Sequence, residues 1–90
     1  MSSSKFVLRG IMKAKEKKLL NRIERNPDIM LGKPVIKGTR LTVELLLEKL
    51  AYGYSEKEII AEYPFISRED IQATLLYASR VISLEEEISI

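Results

Sequence analysis

The sequence predicts a small, mainly α-helical domain, and three observations carry that expectation. Apolar residues recur at helical spacing through the second half of the chain, at Val43, Leu46, Leu47, Leu50 and Tyr54, and then at Ile71, Leu75, Ala78 and Ile82 beside Thr74. Each helical run opens on a residue that can cap a helix: Thr42, Ser55 and Ser67. The chain has 90 residues, which is room for one core and no more. A domain of this size buries only about 60 to 65% of the surface its unfolded chain exposes, so association into at least a dimer is expected to add buried area.

Taken in order, residues 1–21 form a basic N-terminal extension. Residues 11–20 within it read as a basic amphipathic helix or as an arm, because the stripe of Ile11, Met12, Leu19 and Ile23 is incomplete and short isolated helices are marginal in water. Pro27, Gly32, Pro34 and Gly38 then punctuate the chain, leaving space for short strands near residues 20–24 and 35–36 that would pair as a small β-hairpin. Gly38 and Thr39 suit the tight turn that follows. Thr42 opens a first core helix at residues 43–52, with Gly53 in the left-handed C-terminal position. Ser55-Glu56-Lys57-Glu58 matches a capping box, and the second helix runs to about residue 63 because Pro64 disfavours helical geometry in the residue before it. Ser67-Arg68-Glu69-Asp70 resembles that box with a shorter acid, opening a third helix at residues 68–83. Residues 84–90 form an acidic tail, so the domain proper spans residues 22–83. The expected fold is a three-helix, homeodomain-like helix-turn-helix core preceded by a short β-hairpin and a basic N-terminal helix or arm.

Composition narrows the chemistry. The absence of Cys and His removes disulfides, thiolate metal sites and the usual general base near neutral pH. Glu44 with Glu48, and Glu58 with Glu62, lie one helical turn apart, yet read better as solvated faces than as metal sites. No catalytic residue, metal or other cofactor is expected. No apolar run approaches the roughly 20 residues of a membrane span, and residues 1–10 lack the pattern of a signal peptide, so the expectation is a cytoplasmic protein without membrane contact. The formal charge of +2 conceals a division. Residues 1–40 hold 11 Lys or Arg against three acids, a balance of +8, whereas residues 41–90 hold four against ten, a balance of −6. Such a split points to an anionic polymer meeting the basic half, or to opposite halves meeting between subunits; a merely solvated surface is the bland alternative.

The second and third helices have the lengths of a helix-turn-helix, whose later helix enters the DNA major groove by its N-terminal residues. Arg68 and Gln72 are then the candidate base readers, since Arg pairs with guanine and Gln with adenine. Glu69 and Asp70 on the same turn oppose phosphate approach, although acids also suit a helix N-terminus through its dipole alone. The run Gly32-Lys33-Pro34-Val35-Ile36-Lys37-Gly38-Thr39-Arg40 does not have the order of a phosphate-binding P-loop, but Lys33, Lys37 and Arg40 can hold DNA phosphates by charge. The four tyrosines read as core or interface residues more readily than as stacking platforms for bases.

That same run, with Asn26-Pro27-Asp28-Ile29 before it and Leu41-Thr42-Val43, Gly53-Tyr54-Ser55 and residues 59–64 after it, resembles the prokaryotic domain-of-unknown-function 433 family across residues 22–82. The resemblance implies a homeodomain-like helical fold preceded by short strands. It also implies the antitoxin side of a toxin-antitoxin pair, neutralising a PIN-like ribonuclease toxin and repressing its own operon, and it supplies no catalytic residues. The Lys-rich residues 1–20 lie outside the matching motif. Two functions follow for testing: an antitoxin that binds operator DNA as a dimer or higher oligomer, or an interaction and dimerisation module whose helix-turn-helix does not bind DNA. Neutralisation would use either the basic segment at residues 1–20 or the tail at residues 84–90.

Overall fold

Short caps and a modest apolar core set the architecture. A computed structural model of the chain describes residues 14–89, and residues 1–13, including the start of the expected helix or arm, lie outside the described part. The elements are α1 (Ala14–Leu20), β1 (Ile23–Glu24), a left-handed turn at Met30–Gly32, β2 (Val35–Ile36), α2 (Val43–Ala51), α3 (Glu56–Glu62) and α4 (Arg68–Ser89). The protein is thus mainly helical, with four α-helices and a two-stranded antiparallel hairpin among the described residues. Ile23 faces Ile36 and Glu24 faces Val35 across the hairpin.

The turn after β2 is tied by side chains. Gly38 takes φ 80°, and the Thr39 hydroxyl donates to the Ile36 carbonyl at 2.8 Å while accepting from the Leu41 N–H at 3.0 Å. The chain then doubles back along β2, with the Ile36 N–H on the Leu41 carbonyl at 2.9 Å and the Val43 N–H on the Pro34 carbonyl at 3.0 Å. This delivers Thr42 to the N-cap of α2, where its hydroxyl accepts from the Leu45 N–H.

At the far end of α2 the Gly53 N–H meets the Leu50 carbonyl and the Tyr54 N–H meets the Lys49 carbonyl, each at 3.0 Å, with Gly53 at φ 92°. That is a Schellman ending, which satisfies two of the last carbonyls and needs a left-handed residue. Lys49 reaches back over the Tyr54 ring, 4.7 Å from its centroid, and toward Tyr63 at 5.7 Å, with its Nζ 2.8 Å from Glu62 Oε1. The Glu62 hydrogen bond pushes the Lys49 pKa above the ordinary lysine value.

Ser55 and Glu58 form the expected capping box of α3, and the Ser55 N–H holds the Glu58 carboxyl below its ordinary pKa. Ser67 and Asp70 repeat the exchange at α4: the Ser67 N–H donates to Asp70 Oδ2 at 2.9 Å and the Asp70 N–H to the Ser67 hydroxyl at 3.4 Å. Fully buried Leu46, Ile59 and Ile71, one from each core helix, meet with Ile36, Leu41 and Ile66, and the half-buried Ile23, Leu50, Ile60 and Tyr63 close the rim. Buried Thr74 returns its hydroxyl to the Asp70 carbonyl at 3.0 Å, so it adds no unsatisfied donor.

α4 differs from expectation. It continues to Ser89 instead of ending at Ser83, because Leu84 and the three glutamates after it are sound helix formers and no Gly or Pro intervenes. Its 22 residues span about 33 Å at 1.5 Å per residue. α1 lies antiparallel along it: Arg22, just after α1, pairs with Asp70 near the start of α4, and Glu16 pairs with Arg80 further along. No described helix is long and apolar enough to cross a membrane.

Candidate nucleic-acid interface

Lys15, Lys18 and Leu19 recur at the spacing of one helix face, and Arg22 continues it into the following turn. Because α1 runs antiparallel to α4, that face borders the first turns of α4 and lines one side of an open groove of about 870 Å³. Lys37 enters from the other side. Its N–H is fixed to the Arg22 carbonyl at 2.7 Å, which extends the hairpin ladder and sets the residue beside α1. Phe65, in the connection between α3 and α4, lines the groove with Glu69 and Gln72.

Four cations therefore border one groove, and their charges are differently engaged. Arg22 donates to Asp70 Oδ1 at 3.1 Å; Asp70 is buried, and its other oxygen is taken by the helix cap. The arginine side chain keeps 42% of its surface exposed, so donors remain for another acceptor. Among the described residues no carboxylate lies within ion-pair distance of Lys15, Lys18 or Lys37. Phe65 is 62% exposed yet oriented, its ring 6.1 Å from that of Tyr63 at an interplanar angle of 73°. The arrangement offers a charged border for phosphates, an apolar ring, and the Gln72 amide within the same groove.

The residues expected to contact DNA divide between this groove and other surfaces. Lys37 and Gln72 are brought together in it. Lys33 pairs instead with Glu44 at 3.0 Å, Arg68 with Glu56 at 3.3 Å, and Arg40 is exposed but does not line the groove. Lys15, Lys18, Arg22 and Phe65 are additions to the expected set. The spacing of the first three marks a shared face, whereas the position of Phe65 depends on how α1 and the hairpin meet α4. Three of the four paired helix carboxylates have structural partners: Glu44 holds Lys33, Glu62 holds Lys49, and Glu58 caps α3. Among the described residues no three acidic side chains gather where a metal ion could be held.

Residues 23–78 match the family described as protein of unknown function DUF433. The chain belongs to the DUF433 family. An uncharacterized protein, y4eO, from Sinorhizobium fredii (strain NBRC 101917 / NGR234) is 32% identical over 56 residues, covering 62% of this DUF433 chain and 25% of that protein. The match thus spans about a quarter of that relative's length. The fold is similar to the crystal structure of a DUF433 member protein from Anabaena variabilis ATCC 29413, with a TM-score of 0.66 at 22% identity, covering 99% of this chain and 97% of that one. Lys15, Lys18 and Arg22 all precede the family match, so most of the basic border of the groove comes from outside the DUF433 segment.

Proposed function

We propose that this DUF433 protein is the cytoplasmic antitoxin of a type II toxin-antitoxin pair, neutralising a PIN-like ribonuclease toxin and binding operator DNA as a dimer through a homeodomain-like helix-turn-helix. The observation that carries DNA binding is the convergence of Lys15, Lys18, Arg22 and Lys37 around the first turns of α4, where Gln72 also lies. Family membership supports the antitoxin role through what the family resemblance implies. The succession of α2, α3, a connection of residues 63–67 and α4 supports the homeodomain-like assignment. In this reading the start of α4 approaches the major groove, Arg68 and Gln72 stand at base edges, and the cations beside them hold phosphates. The exposed Leu75, Val81, Ile82 and Leu84 offer α4 apolar surface to a second copy. The role needs no cofactor and no catalytic residue.

Gel retardation of the duplex upstream of the reading frame, by the chain alone near physiological salt, tests the proposal. Sequence-selective retardation is expected. Lys37→Gln and Arg40→Gln should weaken binding to every sequence and reduce the salt slope by about 0.9 for each phosphate no longer neutralised. Gln72→Ala should relax selectivity at one position, by roughly 1 to 3 kcal/mol. No selective retardation would favour the interaction-module reading, to which the exposed Glu69 at the head of α4 lends support, whereas Asp70 is buried in the cap and paired with Arg22. Co-expression with an adjacent PIN-like reading frame tests neutralisation, with relief of growth arrest as the expected result.

A further inference from the structure

Duplex phosphates would meet only the border of the groove, which leaves its interior to be explained. Phe65 exposes most of an aromatic ring in a groove that Lys15, Lys18 and Lys37 also line, so an apolar face and cations unpaired among the described residues share one surface. The Phe65 ring meets that of Tyr63 edge-on, which favours one orientation of the face a flat ligand would meet. Leu19 and Ile36 continue the apolar lining, and the amides of Asn21 and Gln72 supply donors and acceptors. The charges are also ordered across the groove. Lys15 and Lys18 line its α1 side, and Lys37 comes from the turn after β2. Glu69 lines its α4 side, where a carboxylate repels phosphate but accepts from the exocyclic amine of cytosine or adenine. The volume of about 870 Å³ lies within the range of about 300 to 1,000 Å³ usual for small-ligand sites.

We propose that this groove binds single-stranded nucleic acid, with an unpaired base stacked on Phe65 and the flanking phosphates held by Lys15, Lys18 and Lys37. A cationic track interleaved with an aromatic platform is the general solution for single strands, because every base has a face to stack. A duplex keeps its bases stacked on one another and cannot present one to Phe65. The inference rests on reading the groove as a nucleic-acid surface and names the form of nucleic acid that its interior takes.

Fluorescence anisotropy with the full chain tests it. The probes are a fluorescein-labelled oligodeoxycytidine of about ten nucleotides, its ribonucleotide counterpart, and the duplex of the former with its complement, all at one ionic strength. At least one single strand should bind about tenfold or more tighter than the duplex, a margin within the stacking worth of one base. Phe65→Leu should weaken single-strand binding by about tenfold, and by more than it weakens duplex binding. Phe65→Tyr keeps the ring and should retain single-strand binding. The double change Lys15→Gln and Lys18→Gln should lower the single-strand salt slope by roughly 0.7 for each phosphate set free. Duplex binding as tight as that of both single strands, or a Phe65→Leu protein that keeps a native melting curve and full single-strand affinity, would overturn the proposal. The operator proposal fails separately, by absence of selective retardation of the upstream duplex.

Discussion

Leu31 sits at φ 59° between Met30 at 48° and Gly32 at 81°, three consecutive residues in the left-handed region, and its side chain is 94% exposed. A side chain in that region costs roughly 1 to 2 kcal/mol through the clash of Cβ with the following carbonyl, and burial of Leu31 offsets almost none of it. Leu31→Gly should therefore stabilise the protein by about 1 kcal/mol, read from the urea midpoint, after allowing for the greater freedom of glycine in the unfolded chain. Glu58 shows the opposite economy of position, a single carboxylate that both caps α3 and is held ionised by the Ser55 N–H. Its folded pKa lies below the unfolded one, so its contribution is present above the unfolded value and is lost as pH falls through the folded value. A melting-temperature profile across the acid range should show Glu58→Gln losing less stability on acidification than the unchanged protein. The Ser55–Glu58 exchange is legible in the sequence because a capping box is written in four adjacent residues. The conformation of Leu31 is not, since it is imposed by a loop whose ends are fixed elsewhere, by the Arg25 side chain on the Gly32 carbonyl at 3.2 Å and by the pairing of Lys33 with Glu44.

The ends of the helices rest on single residues whose replacement should be measurable. Gly53→Ala places a methyl in open space but at φ 92°, so its cost is conformational, about 1 kcal/mol in chemical denaturation. Leu46→Ala opens a cavity where α2, α3 and α4 meet and should cost about 3 kcal/mol by the same measurement. The starts of α2, α3 and α4 and the ends of α2 and α3 follow the sequence signals closely, because Thr42, Gly53, Ser55, Pro64 and Ser67 act over a few residues. The end of α4 does not, because an acidic run resembles a solvated tail while nothing in it stops a helix. α1 is ambiguous in the sequence for another reason: its ordering at Ala14–Leu20 comes from the α4 surface and from the Glu16–Arg80 pair.

Across the whole molecule, some charges of the two halves of the chain meet within the fold. Arg22 pairs with Asp70, Lys33 with Glu44, and Glu16 with Arg80, each joining residues 1–40 to residues 41–90. Folding gathers part of the positive excess of residues 1–40, with Lys15, Lys18 and Lys37 on one groove. Charge counting points to the half of the chain that supplies the cations of the groove but not to the groove, which exists only once α1 has docked on α4. On operator duplex, the combined change Lys15→Gln and Lys18→Gln should lower the salt slope by up to about 1.8 while leaving the ranking of sequences intact, as measured by retardation at several salt concentrations. Lys49 has a different consequence at this scale. Its ammonium group is enclosed by Glu62, Tyr54 and Tyr63, its side chain is only 15% exposed, and its proton is held more tightly than usual. An amine-acylating reagent needs a deprotonated, accessible nitrogen, so Lys49 should be acylated far more slowly than the exposed Lys15, Lys33 or Lys57. Because the enclosure draws on α2, its C-terminal turn, α3 and the residue after it, the appearance of label on Lys49 becomes a chemical clock for the loosening of the junction between α2 and α3.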